Sequence, residues 1–205
     1  MGYRRTNLAT TTAAADVNRF VTVTPMKRGT YGAPAVTTMP EAGTARHVTI
    51  TLTRNDLVDT TLGVVTITGT ALNGAVITEV ITPLDNATAT GTKWFASVTA
   101  VTGGTTWAKD GAGAADSIEV GCGAACIVAE GSGVLHGVQI NTTAASVITI
   151  TDAGGGIAVL PANVAVGTFY LWDVAWTGFL SVILAGASDI TVLHTGSMPT
   201  TYAMV

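Results

Sequence analysis

Enzymes need nucleophiles, bases, paired carboxylates or metal ligands held together, and this chain holds few groups that could serve. Its three histidines, His47, His136 and His194, each sit inside an alternating run of apolar and polar residues. That is the setting of a half-buried sheet position, not of a base in a cleft. Gly131-Ser132-Gly133 lacks the Gly-x-Ser-x-Gly spacing of a nucleophile turn. Cys122 and Cys126 are separated by three residues, which is neither redox nor zinc-knuckle spacing, and no second ligand pair accompanies them. Buried free thiols are therefore expected.

The carboxylates Glu79, Glu119, Glu130, Asp152, Asp173 and Asp189 are scattered singly, not paired as glycoside hydrolysis requires. Asp173, between Trp172 and Trp176, is the one that merits a search for partners. Asp152 beside Gly154-Gly155-Gly156 carries only a trace of a calcium loop. The glycine-rich stretches at 110–113, 121–123 and 154–156 lack the Lys-Ser/Thr ending of a phosphate loop. The expectation is a protein without catalytic residues, cofactor or metal.

The elements that would position these groups are strands. Residues 64–82 hold two alternating runs of Val/Ile and Thr joined across Asn73-Gly74, the pair favoured in tight hairpin turns. This pattern predicts Val65, Ile67, Ile77 and Val80/Ile81 inside, with Thr66, Thr68 and Thr78 outside. Further strands are expected at 47–53, 93–101, 117–120, 133–140, 146–151, 157–160, 169–176, 179–184 and 189–193, with a short one at 19–24. No stretch longer than about eight residues has helical period. Residues 169–187 approach a membrane span in length and hydropathy. Asp173, the Thr177-Gly178 break and the β-branched, aromatic composition instead predict two strands.

The predicted architecture is all-β: an extended basic N-terminal arm (1–45), a first β-sandwich unit (46–121), and a second β-unit with a short C-terminal tail (122–205). Charged residues are only 11% of the chain against 48% hydrophobic, so much of the surface is expected to be covered by partners. Residues 1–46 carry six basic residues against two acidic, and the remainder three against eleven. A basic arm and an acidic body suit head-to-tail contacts between copies. Arg4, Arg5, Arg19, Lys27, Arg28 and Arg46 are the candidate inter-subunit contacts. They are too dispersed for a nucleic-acid cluster. Trp94, Trp107, Trp172 and Trp176 are the candidate surface or interface aromatics. No apolar run follows the N-terminal Met-Gly-Tyr-Arg-Arg, so a secretory signal is not expected.

The runs His47–Thr53, Gly69–Thr82, Trp94–Thr102 and Ala115–Gly121 together resemble structural proteins of tailed-bacteriophage particles. Those carry "Thr-Gly-Thr-Asp-x-x-Gly-x-x-Ile-x-Glu-x-Ile", then a "Phe-x-x-Val-Thr-x-Val" strand and an "Ala-Asp-x-Val-x-Val-Gly" strand. Residues 133–141 through 186–192 look like a virion β-domain ending in "Ala-x-Asp-x-Thr-Val". Ala71 stands where Asp or Asn is common. The resemblance covers about three-quarters of the chain and is shared by decoration, neck, tail and fibre proteins. It implies a non-enzymatic virion protein assembled in the host cytoplasm, foremost a capsid decoration or cement protein. Its partners would be the major capsid protein and copies of itself as a homo-oligomer, with no direct nucleic acid and no membrane. The alternatives are a neck, tail or fibre component, and a carbohydrate-binding or adhesin module using its tryptophans.

Overall fold

The computed structural model describes residues 3–8, 15–25, 34–53, 63–103, 116–143, 146–184 and 188–196. Within them the chain is all-β, as expected, and every strand pair is antiparallel. The strands are β1 (Arg4–Leu8), β2 (Asp16–Pro25), β3 (Ala45–Thr53), β4 (Val65–Thr70), β5 (Val76–Ile81) and β6 (Thr88–Phe95). They continue as β7 (Ser97–Gly103), β8 (Ser117–Thr142), β9 (Ile148–Asp152), β10 (Gly155–Leu160), β11 (Phe169–Leu184) and β12 (Asp189–His194). Nine form one sheet, and β5-β4-β7 form a second.

The 26-residue β8 is the spine of the larger sheet. One of its edges pairs with β3 and then β12, the other with β2 and then β11. The sequence reads β8 as two strands and a loop, because Gly121, Gly123, Gly131 and Gly133 look like turn residues. Two of them serve close packing. A Cβ on Gly121 would lie 1.9 Å from the Asp16 carbonyl oxygen, and one on Gly133 1.9 Å from that of Thr195.

β8 is also bent. Only seven residues separate Leu8 from Asp16, enough to span at most about 28 Å. Leu8 lies opposite Ile190, which lies opposite Ile140, whereas Asp16 lies opposite Cys122. A straight β8 would separate Cys122 from Ile140 by roughly 60 Å, far more than the sideways offsets of the outer strands could absorb. The natural hinge is the pair Gly131 and Gly178, directly opposed and both left-handed at φ 98° and 75°.

Two hydrophobic cores flank this bend. The first gathers Val48, Ile50, Ile67, Phe95, Ile118 and Cys122 with Phe20 of β2. The second gathers Cys126, Leu135, Ile150, Trp176 and Val192 with Leu8 of β1. The expected division at 121/122 falls inside β8, where one core hands over to the other without a linker.

Several expectations are revised. The segment 1–45, expected to extend away from the body, is in its described parts paired with β12 and β8 of its own chain. The run 93–101 is two strands, because the chain bends at Ala96 and crosses from one sheet to the other. The two strands expected at 169–184 are the single β11. The hairpin at 70–76 forms, but its turn closes through the Gly74 N–H to the Ala71 carbonyl (3.0 Å), and only Gly74 is left-handed. This register turns Glu79 and Ile81 inward, and Val80 outward at 59% exposure.

Candidate functional site

Among the described residues, polar groups able to do chemistry converge at the surface at a double irregularity in the second half of β8. Trp172 and Asp173 of β11 stand opposite the single residue His136, between the pairs Leu171/Gly137 and Val174/Leu135. On the other edge, Leu193 and His194 of β12 pair with Gly137 and Leu135 and skip His136. An extra residue of this kind re-aims side chains, and such bulges concentrate at functional sites. Leu135 and Val138 both belong to the second core, whereas His136 is partly exposed and Gly137 is buried.

Asp173 meets His136 across the bulge, with Oδ1 2.5 Å from Nδ1. Asp173 adopts φ 53°, a left-handed backbone that costs a non-glycine residue about 1–2 kcal/mol, although Asp is among the more tolerant types. The pair is accessible, with side-chain exposures of 23% for His136 and 55% for Asp173. Two rings frame it. Tyr3 lies nearly stacked on the imidazole, at 4.1 Å between centroids and 31° between planes, and Phe169 stands at 6.4 Å. A Cβ on Gly137 would lie 2.9 Å from the Phe169 ring, so the glycine is what lets that ring lie against β8. Tyr3, Phe169 and Leu171 are 52%, 46% and 58% exposed. Arg5 projects on the same face as Tyr3, two residues along.

Acyl transfer would need a hydroxyl or thiol on the far side of the imidazole. Among the described residues, none is hydrogen-bonded to His136. Nor do three or more His, Cys, Asp or Glu side chains gather there as metal ligands.

The other sequence candidates are dispersed. Arg46 is buried inside its own chain. Its Nη2 donates to Glu41 Oε2 at 2.7 Å and its Nη1 to the Gly123 carbonyl at 2.9 Å. Since 1% of the Arg46 side chain is exposed, it offers a neighbouring copy nothing. Arg19 donates to the Thr38 carbonyl and pairs with Asp16. Arg4 and Arg5 are exposed on β1, the outermost strand beyond β12. Lys27, Arg28 and Trp107 lie outside the described residues.

The three described tryptophans make no surface platform. Trp176 is in the second core, its indole N–H without an acceptor among the described residues. Trp172 stacks on Tyr170 against that core. Trp94 is half-buried, lying 3.6 Å from the ring of His47 and 5.6 Å from that of Phe179. Among the described residues the exposed aromatics are instead Tyr3 and Phe169. Sequence reasoning singled out Asp173 and missed its ring neighbours, because nothing local links Tyr3 to residues 136 and 169.

The remaining ionisable groups play structural parts. Cys122 and Cys126 are free and buried as expected, and burial pushes the Cys126 thiol up to about 12. Such a thiol is inert at neutral pH. Asp152 accepts the backbone N–H groups of Thr177, Gly154 and Gly155, which hold its carboxyl below the usual range. It ties the β9–β10 turn to β11 beside Gly178. Compared with protein families, curated proteins and solved structures, the chain matches none.

Proposed function

We propose that this chain is a non-enzymatic structural protein of a tailed-bacteriophage virion, a capsid decoration or cement protein that stabilises the shell through many weak contacts. The observation that carries this reading is the outer face of the three-stranded sheet. Thr66, Thr68 and Thr70 of β4 lie beside Val80, Thr78 and Val76 of β5, with Val76 76% and Val80 59% exposed. No charge interrupts these positions. A rigid, uncharged Thr/Val surface gains free energy when a flat partner covers it. The resemblance of the hairpin and its flanking strands to phage particle proteins supports the choice of partner.

Such a protein would contact the major capsid protein and copies of itself, and would reside in virions assembled in the host cytoplasm. Arg4 and Arg5, on the outermost strand, are the cationic side chains best disposed to reach an acidic neighbour. Each contact is modest, and repetition over the shell multiplies it. Quantitative mass spectrometry of purified particles tests the reading. Hundreds of copies per particle are expected, a dozen or fewer would move the protein to the neck or tail, and its absence from particles would overturn the proposal.

A further inference from the structure

We infer that the His136–Asp173 bulge, with Tyr3 and Phe169, is a saccharide-binding subsite. Sugar rings have an apolar face of C–H groups and an equatorial rim of hydroxyls. A site for them therefore combines an exposed aromatic ring with fixed hydrogen-bonding groups at its edge. This surface has both parts. Tyr3 and Phe169 flank the pair with about half of each residue exposed, and the ring of Phe169 is seated against the backbone at Gly137.

The polar groups at the edge are preorganised. His136 Nδ1 and Asp173 Oδ1 hold each other, which fixes both side chains before any ligand arrives. In the neutral imidazole that donates from Nδ1, Nε2 is an acceptor. The second oxygen of the 55%-exposed Asp173 carboxylate is another. Two acceptors a few ångströms apart suit adjacent hydroxyl donors. The left-handed backbone of Asp173 and the irregular pairing on both sides of His136 bring the two side chains together at the surface.

The same geometry argues for binding without hydrolysis. Glycoside cleavage needs two carboxylates across the scissile bond, and among the described residues Asp173 is the carboxylate hydrogen-bonded to His136, with no second one paired to it there. With one or two rings to stack on and two or three hydrogen bonds, affinity for a single sugar should be about millimolar. Useful retention would come from many copies acting together. The inference stands whether or not the protein resides in a particle, and particle copy number tests that other reading separately.

Saturation-transfer NMR tests it, with the full chain against the methyl glycosides of glucose, galactose, mannose and N-acetylglucosamine. Transfer to the ring protons of at least one is expected, falling at least about fivefold in Phe169→Ala and in Asp173→Asn. Val159→Thr, at an exposed position on β10 outside the site, should leave it unchanged. Asn tolerates the left-handed backbone at 173, so Asp173→Asn decides alone if Phe169→Ala lowers the unfolding midpoint. No transfer to any of the four glycosides, or transfer undiminished in Asp173→Asn, would overturn the inference.

Discussion

Glu41→Ala should be among the most damaging single changes in this chain. Glu41 and Arg46 form an ion pair of 2.7 Å with side-chain exposures of 4% and 1%, and Arg46 also donates to the Gly123 carbonyl. Arg46 lies opposite Cys126 on β8 and Phe95 on β6, close to where the two cores meet. Removing the carboxylate leaves a guanidinium in a site closed to water. Loss of one partner from a buried pair costs about 3–5 kcal/mol, most of it the penalty of the stranded charge. For a chain of this size each kcal/mol is worth about 2–4 °C, so the midpoint should fall by about 10 °C.

The double change Glu41→Leu/Arg46→Met removes both charges and fills the space. It should recover most of the loss and end within about 1–2 kcal/mol of the parent, because the desolvation penalty disappears with the charges. Urea unfolding of the parent, Glu41→Leu, Arg46→Met and the double closes the cycle, and a coupling of at least about 2 kcal/mol is expected. If Glu41→Ala cost under about 1 kcal/mol, or the double were no better than the singles, the pair would be hydrated and the reasoning wrong.

Burial, with the nearby charge of Arg4, lowers the pKa of His194. The unfolded chain therefore binds a proton that the folded chain resists, and stability should fall as pH drops below about 6.5. His47 is lowered by burial too and acts in the same direction. His194→Gln should reduce the slope of melting temperature between pH 7.5 and 5.5 without abolishing it, and an unchanged slope would exclude His194 as a source. Glu79 accepts the N–H groups of Thr92 and Lys93 and the Thr92 hydroxyl, which ties β5 to β6. Glu79→Ala should cost about 2–3 kcal/mol in urea unfolding. Gly91→Ala should cost a comparable amount, since its Cβ would lie 2.5 Å from Glu79 Oε2, and a neutral result would mean that the carboxylate moves aside freely.

The sequence by itself determined the class of structure. Period-two alternation in β3, β4 and β12, the Asn73-Gly74 turn and the absence of helical period are local signals, and local sterics suffice to read them. It also marked Asp173 as the carboxylate to follow, and Cys122 and Cys126 as buried thiols. Only the tertiary structure decided which residues meet. β1, Arg-Arg-Thr-Asn-Leu, has no apolar rhythm of its own and is a strand because β12 supplies its partner. The glycines of β8 read as turns because sequence does not reveal whether a missing side chain frees the backbone or admits a neighbour. Arg46 looked like a surface cation until Glu41 and Gly123 were found around it. His136, Asp173, Tyr3 and Phe169 converge from three distant stretches because the sheet order β1-β12-β8-β11 and the bulge at Trp172-Asp173 bring them together. Strand register is set by long-range packing, and local periodicity is blind to it.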